Sequence, residues 1–264
     1  MVKLAKNFNS EFSDRISDEL KQKLQELAQK YETDDFYNED PSQFLKWYCA
    51  FPKLNNARNT ECAAFVAAML AFGSRKQFIP KIKEILLLSC DEGIAQWCIN
   101  GAKNFPKGQK KFYRFYSYDD LHDLFSELAF ILLNENSLGE YFCKCSKQNP
   151  NLQLHQIVSQ TFKKSKIVPK GKNSANKRVN MFLRWMVRKN SPVDLGLWTW
   201  SDQKNLIIPL DVHVMQESVK LGLLPPAAAA SLKTAEYLTN QLKQVFPDDP
   251  VKGDFALFGL GAEN

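Results

Sequence analysis

Two ionisable groups, Lys177 and Asp211, stand where the sequence starts two helices. Asp211 follows Pro209-Leu210 and precedes Val212-His213-Val214-Met215, a helical run. A carboxylate there accepts a backbone N–H and stabilises the helix by ~1 kcal/mol as an N-cap. The positive end of the helix also keeps it ionised, the state required of a group facing a developing cation. Capping and catalysis are therefore compatible at this position. Lys177 and Arg178 head the apolar run Ala175 to Val187, directly after Pro169-Lys170-Gly171-Lys172-Asn173-Ser174. A turn followed by free helix N–H groups holds phosphate and tracks a nucleic-acid backbone without reading its bases. Lys170, Gly171, Lys172, Ser174 and Arg178 are the candidates for that contact. Lys177 can in addition attack a sugar C1′ and form a Schiff base, a role closed to the permanently charged Arg178. Alone, Asp211 reads as a cap and Lys177 as a solvated side chain. Together, a cation and an anion at two helix starts suit chemistry on a polyanion.

Three further places carry candidates. Ser74-Arg75-Lys76-Gln77 closes the Ala-rich run Cys62 to Phe72 and reads as a polar corner, with Arg75 and Lys76 able to face a substrate. The segment Asn190 to Leu206 holds Trp198 and Trp200, which either pack the loop onto the body or stack on an exposed base. His213, two residues beyond Asp211, joins them as a base-pocket candidate.

The charge pattern points to the same region. The chain of 264 residues has 35 Lys+Arg against 29 Asp+Glu, a formal charge of +6. From Leu152 to Val193 there are ten Lys and Arg and only acid-free sequence up to Asp194. That excess is larger than the whole chain's, so the remainder is net acidic. Such a segment is either a solvated face or a phosphate-binding surface that releases counterions. Six cysteines occur without a C-x-x-C pair, and the three histidines stand apart from them. Buried free thiols are expected, with no metal site and no cofactor. The apolar runs are too short to span a membrane and the first residues are polar, so a cytoplasmic, nucleoid-associated monomer is expected.

Helices must position these groups. Apolar residues recur at helical spacing over Phe12–Tyr31, Phe78–Leu88, Tyr118–Leu133, Leu152–Phe162, Ala175–Val187, Val212–Leu221, Ala227–Val245 and Val251–Leu260, besides the run opened by Thr60-Glu61. Pro80 either kinks its helix or marks the first turn. Hairpin dipeptides and alternating strands are missing from this pattern, so the fold class is all-α.

Three stretches carry a family likeness: Lys177 to Arg188 (KRVNMFLRWMVR), Ile208 to Val214 (IPLDVHV) and Asp249 to Gly261 (DPVKGDFALFGLG). With Phe65 to Gln77, they resemble the helix-hairpin-helix DNA glycosylase superfamily that includes endonuclease III and 8-oxoguanine DNA glycosylase. The likeness runs from about Glu61 to the C-terminus and is nearest to an uncharacterised bacterial branch. It implies two helical lobes, one over 58–189 with the hairpin, the other from 1–57 and 190–264, with a DNA cleft between them. It also implies Asp211 as the catalytic aspartate and Lys177 as the lysine of lyase-active members. The partner implied is duplex DNA with a damaged or abasic site, and the activity is base excision, with an oxidised purine among the substrates. The chain departs from the pattern in keeping only Gly171 of two hairpin glycines and in separating Lys177 from Asp211 by 34 positions. No cysteine follows Cys145, which leaves out the iron–sulfur cluster of endonuclease III. The alternative is a non-catalytic DNA- or RNA-binding protein of the same fold.

Overall fold

The computed structural model describes residues 15–37, 40–171 and 174–263. Lys172 therefore lies outside the described residues. The chain is mostly helical, in line with an all-α class. In order it runs α1 (Asp18–Tyr31), a 3-10 helix (Pro41–Ala50), α2 (Ala57–Leu70), α3 (Arg75–Leu88) and α4 (Ile94–Asn100). A short antiparallel hairpin follows, β1 (Lys111–Tyr113) with β2 (Tyr116–Ser117). Then come α5 (Tyr118–Asn134), α6 (Leu138–Gln148), α7 (Leu154–Thr161), α8 (Lys177–Val187), α9 (Val212–Lys220), α10 (Leu232–Leu242) and α11 (Gly253–Glu263).

α2 is the central rod of a first hydrophobic core. Cys62 to Leu70 are fully buried, because alanines on several faces let helices approach from all sides. Around it pack Phe44, Ile85, Leu128, Phe142 and Trp185. Phe65 stacks on Phe162 at 4.6 Å and meets Phe182 edge-on at 5.0 Å. α5 starts with a capping box, Ser117 and Asp120 each accepting from the other's backbone N–H. α3 begins at Arg75, so Pro80 lies inside the helix rather than at its first turn and removes one intrahelical bond.

A second core gathers the chain ends. Leu24 and Ala28 of α1 pack with Leu210, Val214, Leu238 and Leu257. α1 and α11 touch closely because Gly259 has no side chain: a Cβ there would stand 2.2 Å from Cγ of Tyr31. Phe44, Leu45 and Tyr48 belong to the first core, whereas the family resemblance groups residues 1–57 with the other chain end. Their segment is a 3-10 helix leaning on α2, a tertiary choice that periodicity does not encode.

α8 packs into the first core through Val179 to Val187 and corrects the reading of the basic segment. Arg184 and Arg188 are buried, not phosphate-facing. Arg184 pairs with Asp194 and Asp254, and Arg188 with Glu32, Asp194 and Asp249. Their charges are met by carboxylates from α1's end, the 190–206 loop and the start of α11, which ties α8 to those elements. The acids lie far along the chain, so a local charge count sees only the arginines.

Candidate active site in the cleft beside α8

Lys177 is the first residue of α8 and Asp211 caps α9, and the fold brings these helix starts together. Lys177 Nζ donates to Asp211 Oδ2 at 2.9 Å. Asp211 Oδ1 accepts from the Val214 N–H at 2.9 Å, so the cap role is met with one oxygen while the other faces the lysine. Asn176, which precedes α8, has φ 54° and gives the helix no side-chain cap. Its amide instead donates to Ser159 Oγ on α7 at 3.1 Å, pinning the α8 start against α7. The lysine side chain is 36% exposed and the aspartate 13%, so the pair is shielded yet open to a substrate.

The pair borders a cleft of about 480 Å³. Its walls are aromatic and apolar, including Phe36, Phe72, Phe78, Met181 and Phe258, and it also holds Arg75, His213 and Asp254. Arg75 lays its guanidinium over the Phe258 ring at 5.5 Å. His213 sits on the exposed first turn of α9, against Gly261, where a Cβ would come within 3.1 Å of the His213 Cβ. Burial pushes the Asp254 carboxyl up to about 6, against the opposing pull of Arg184; nearby Asp211 adds to the rise.

The fold therefore unites Lys177, Asp211, Arg75 and His213, and leaves other candidates elsewhere. Arg178 points into the body: it donates to the Met69 carbonyl and, at 3.1 Å, to the Tyr116 hydroxyl, with its guanidinium over Phe72 at 5.1 Å. It anchors the β-hairpin to α2 and α8 rather than reaching out to phosphate. Trp198 is buried and donates its indole N–H to Glu61 at 2.9 Å, while Trp200 stacks on it at 5.5 Å. The loop is packed onto the body, and neither ring lines the cleft with Lys177. Lys76 is exposed on α3 but does not line that cleft. Lys170 donates to the Phe162 carbonyl across its own connection, and Gly171 takes φ 70°. Ser174 is exposed, its Oγ accepting from Asn176 N at 3.4 Å.

Phe36, Phe72, Phe78, Asp254 and Phe258 went unrecognised as cleft residues in the sequence. The Asp249–Gly261 stretch was a usable signal for Asp254 and Phe258. The Phe65 to Gln77 stretch was an equal signal for Phe72, and nothing local marks Phe36 or Phe78. Of the cysteines, Cys62 and Cys98 are buried and Cys49 is exposed, so burial describes only part of the set. Among the described residues no group of His, Cys, Asp and Glu could hold a metal ion, and no helix is long and apolar enough to cross a membrane.

Residues 40–263 match the model of a family described as "Protein of unknown function (DUF2400)", and the chain belongs to that family. No curated protein and no solved structure matches the chain.

Proposed function

We propose that this member of the DUF2400 family is a DNA base-excision glycosylase with associated AP-lyase activity. The observation that carries the reading is the 2.9 Å approach of Lys177 Nζ to Asp211 Oδ2 at the edge of an aromatic cleft. Two groups 34 positions apart meet where a deoxyribose needs a nucleophile and an anion. The connection between α7 and α8 supports it as the helix-hairpin-helix. Gly171 supplies one left-handed residue, and Asn176, at φ 54°, supplies a second where a glycine is absent. Asparagine is among the residues that best tolerate that backbone.

In this reading the target nucleotide leaves the duplex stack, since its glycosidic bond is out of reach inside it. The base enters between the aromatic walls of the cleft and its sugar comes to the Lys177–Asp211 pair. Lys177 must lose a proton to solvent in the open cleft before attack, which leaves Asp211 as the carboxylate that the next step uses. As the C1′–N bond breaks, its electron pair leaves with the base and positive charge grows on the sugar. The Asp211 carboxylate stabilises that charge. Lys177 Nζ bonds to C1′; the C1′–O4′ bond then breaks, O4′ taking a proton, and the resulting Schiff base undergoes β-elimination that expels the 3′-phosphate and cleaves the strand.

The test is borohydride trapping on duplexes containing 8-oxoguanine, uracil, an alkylated base or an abasic site. A covalent adduct is expected with at least one of them and should vanish in Lys177→Gln. An adduct that persists in this variant places the nucleophile elsewhere. No adduct and no base release across the panel removes the reading.

A further inference from the structure

The groove between α5, α6 and α7 takes no part in the chemistry above, and none of the residues lining it borders the Lys177 cleft. It encloses about 660 Å³. Phe130 from α5, Tyr141 from α6, Leu152 from the turn after α6 and Ile157 from α7 make its floor and walls apolar. Phe130 is 63% exposed, and Leu133, one helical turn on, is 69% exposed. Side chains at that spacing are neighbours on a helix surface. A single exposed apolar residue is ordinary, whereas an adjacent pair running into a groove marks a surface that another molecule covers.

The rim of the groove is cationic. Lys163 and Lys164 line it and are exposed. Unlike Lys166, which pairs with Asp120, neither has an acidic partner among the described residues. Glu127, the one acid in the lining, is already engaged. Its Oε1 accepts from the Lys164 N–H at 2.8 Å and its Oε2 from the Ser165 N–H at 2.9 Å. Those two bonds tie the chain after α7 to α5 and hold the Lys163-Lys164 backbone at the edge of the apolar floor. The basic segment of the sequence therefore presents two of its lysines beside an apolar surface, outside the Lys177 cleft.

We propose that this groove docks an acidic peptide segment of a partner protein, with large apolar side chains against Phe130, Tyr141 and Leu152 and carboxylates on Lys163 and Lys164. Burying the apolar side chains supplies the affinity. The ammonium groups set the sign of the partner, because a like-charged segment is repelled and a neutral one leaves them unmatched. Duplex DNA satisfies the lysines alone: its phosphates bring no large apolar group to the floor. A segment that carries both features matches both. Once docked, it leaves Lys177 and Asp211 open, so the groove recruits a partner without closing the cleft. The proposal goes beyond the base-excision reading and holds whichever reaction the cleft performs.

The experiment is selection from a random-peptide display library on the full chain, followed by anisotropy titrations of the enriched peptides. These are expected to combine net negative charge with at least one large apolar side chain. Phe130→Glu should weaken their binding by ~10-fold or more, and the double reversal Lys163→Glu with Lys164→Glu by a similar factor. Thermal melting reports folding; if Phe130→Glu fails to fold, Phe130→Ser takes its place. Selection of no peptide, or of neutral or basic ones, overturns the proposal, as does an affinity unchanged in the folded variants. Duplex binding measured in parallel tests the nucleic-acid alternative. If Phe130→Glu loses duplex affinity with peptide binding intact, the groove is a DNA surface. If the chain sediments as a dimer that Phe130→Glu dissociates, the occupant is a second copy of this chain. Either result rejects the peptide.

Discussion

Asp211 divides its carboxylate between two duties, and the division is testable. Oδ1 caps α9 and Oδ2 meets Lys177. Asparagine caps a helix about as well as aspartate, so Asp211→Asn should change stability by no more than ~1 kcal/mol, the scale of a partly exposed ion pair. Its turnover should fall by ~10²–10³-fold, because a neutral amide does not stabilise the growing cation. Denaturation curves and single-turnover base release check the two halves separately. A variant that loses stability but keeps full turnover returns Asp211 to a purely structural role. Lys177 could be read from its place at a helix start, since chemistry and position agreed. Arg178 misled because the same local position sends its side chain the opposite way, onto Phe72 and Tyr116.

At the scale of the element, α7 shows what burial does to a titratable group. His155 lies in it with 4% exposure, and its Nε2 has no hydrogen-bond partner. Burial lowers its pKa to about 4 from the usual 6.5. Between those values the unfolded chain takes up a proton that the folded chain refuses. The stabilising effect is thus whole above pH 6.5 and is lost as pH falls towards 4, by up to ~3 kcal/mol. The melting temperature should drop on acidification through that window, and His155→Gln should flatten the slope. Asp254, raised to about 6, acts in the opposite direction, so the difference between the variant and the parent chain isolates His155. An unchanged slope rules out a buried neutral histidine. α7's period was legible in the sequence; the burial of its polar face, which depends on α8 and α10, was not. α4 and the β-hairpin are too short to show a period, whereas α6 went unread although Leu138, Tyr141, Phe142 and Cys145 recur at helical spacing.

Across the whole molecule, the buried ion network is what joins the two cores. Arg188 is shared by Glu32, Asp194 and Asp249, and truncating it strips Asp249 of its cation and leaves Glu32 with Lys252 and Asp194 with Arg184. Arg188→Met should therefore cost ~3–5 kcal/mol, read as a lower urea midpoint. The loss should also separate the unfolding of the chain-end core from that of the α2 core, seen as probe-dependent transitions. A single transition with an unchanged midpoint would show that apolar packing alone holds the lobes. The network also bears on the site, because Asp254 connects Arg184 to the floor of the cleft. Among the described residues, the cations of the 163–189 segment thus divide into buried Arg184 and Arg188, half-buried Lys177 and Arg178, and exposed lysines, a division that no composition count contains.

The helical class, the order of the long helices and the identity of Lys177 and Asp211 as a cation and an anion at helix starts were set by the sequence alone. Periodicity, capping residues and turn residues act within a few positions, so a linear reading captures them. Only the tertiary structure decided that these two groups touch, that the cleft is walled by Phe72, Phe78 and Phe258, and that Arg184 and Arg188 face acids rather than solvent. Those outcomes depend on which distant surfaces pack together, and packing energy is summed over contacts that adjacent residues do not share.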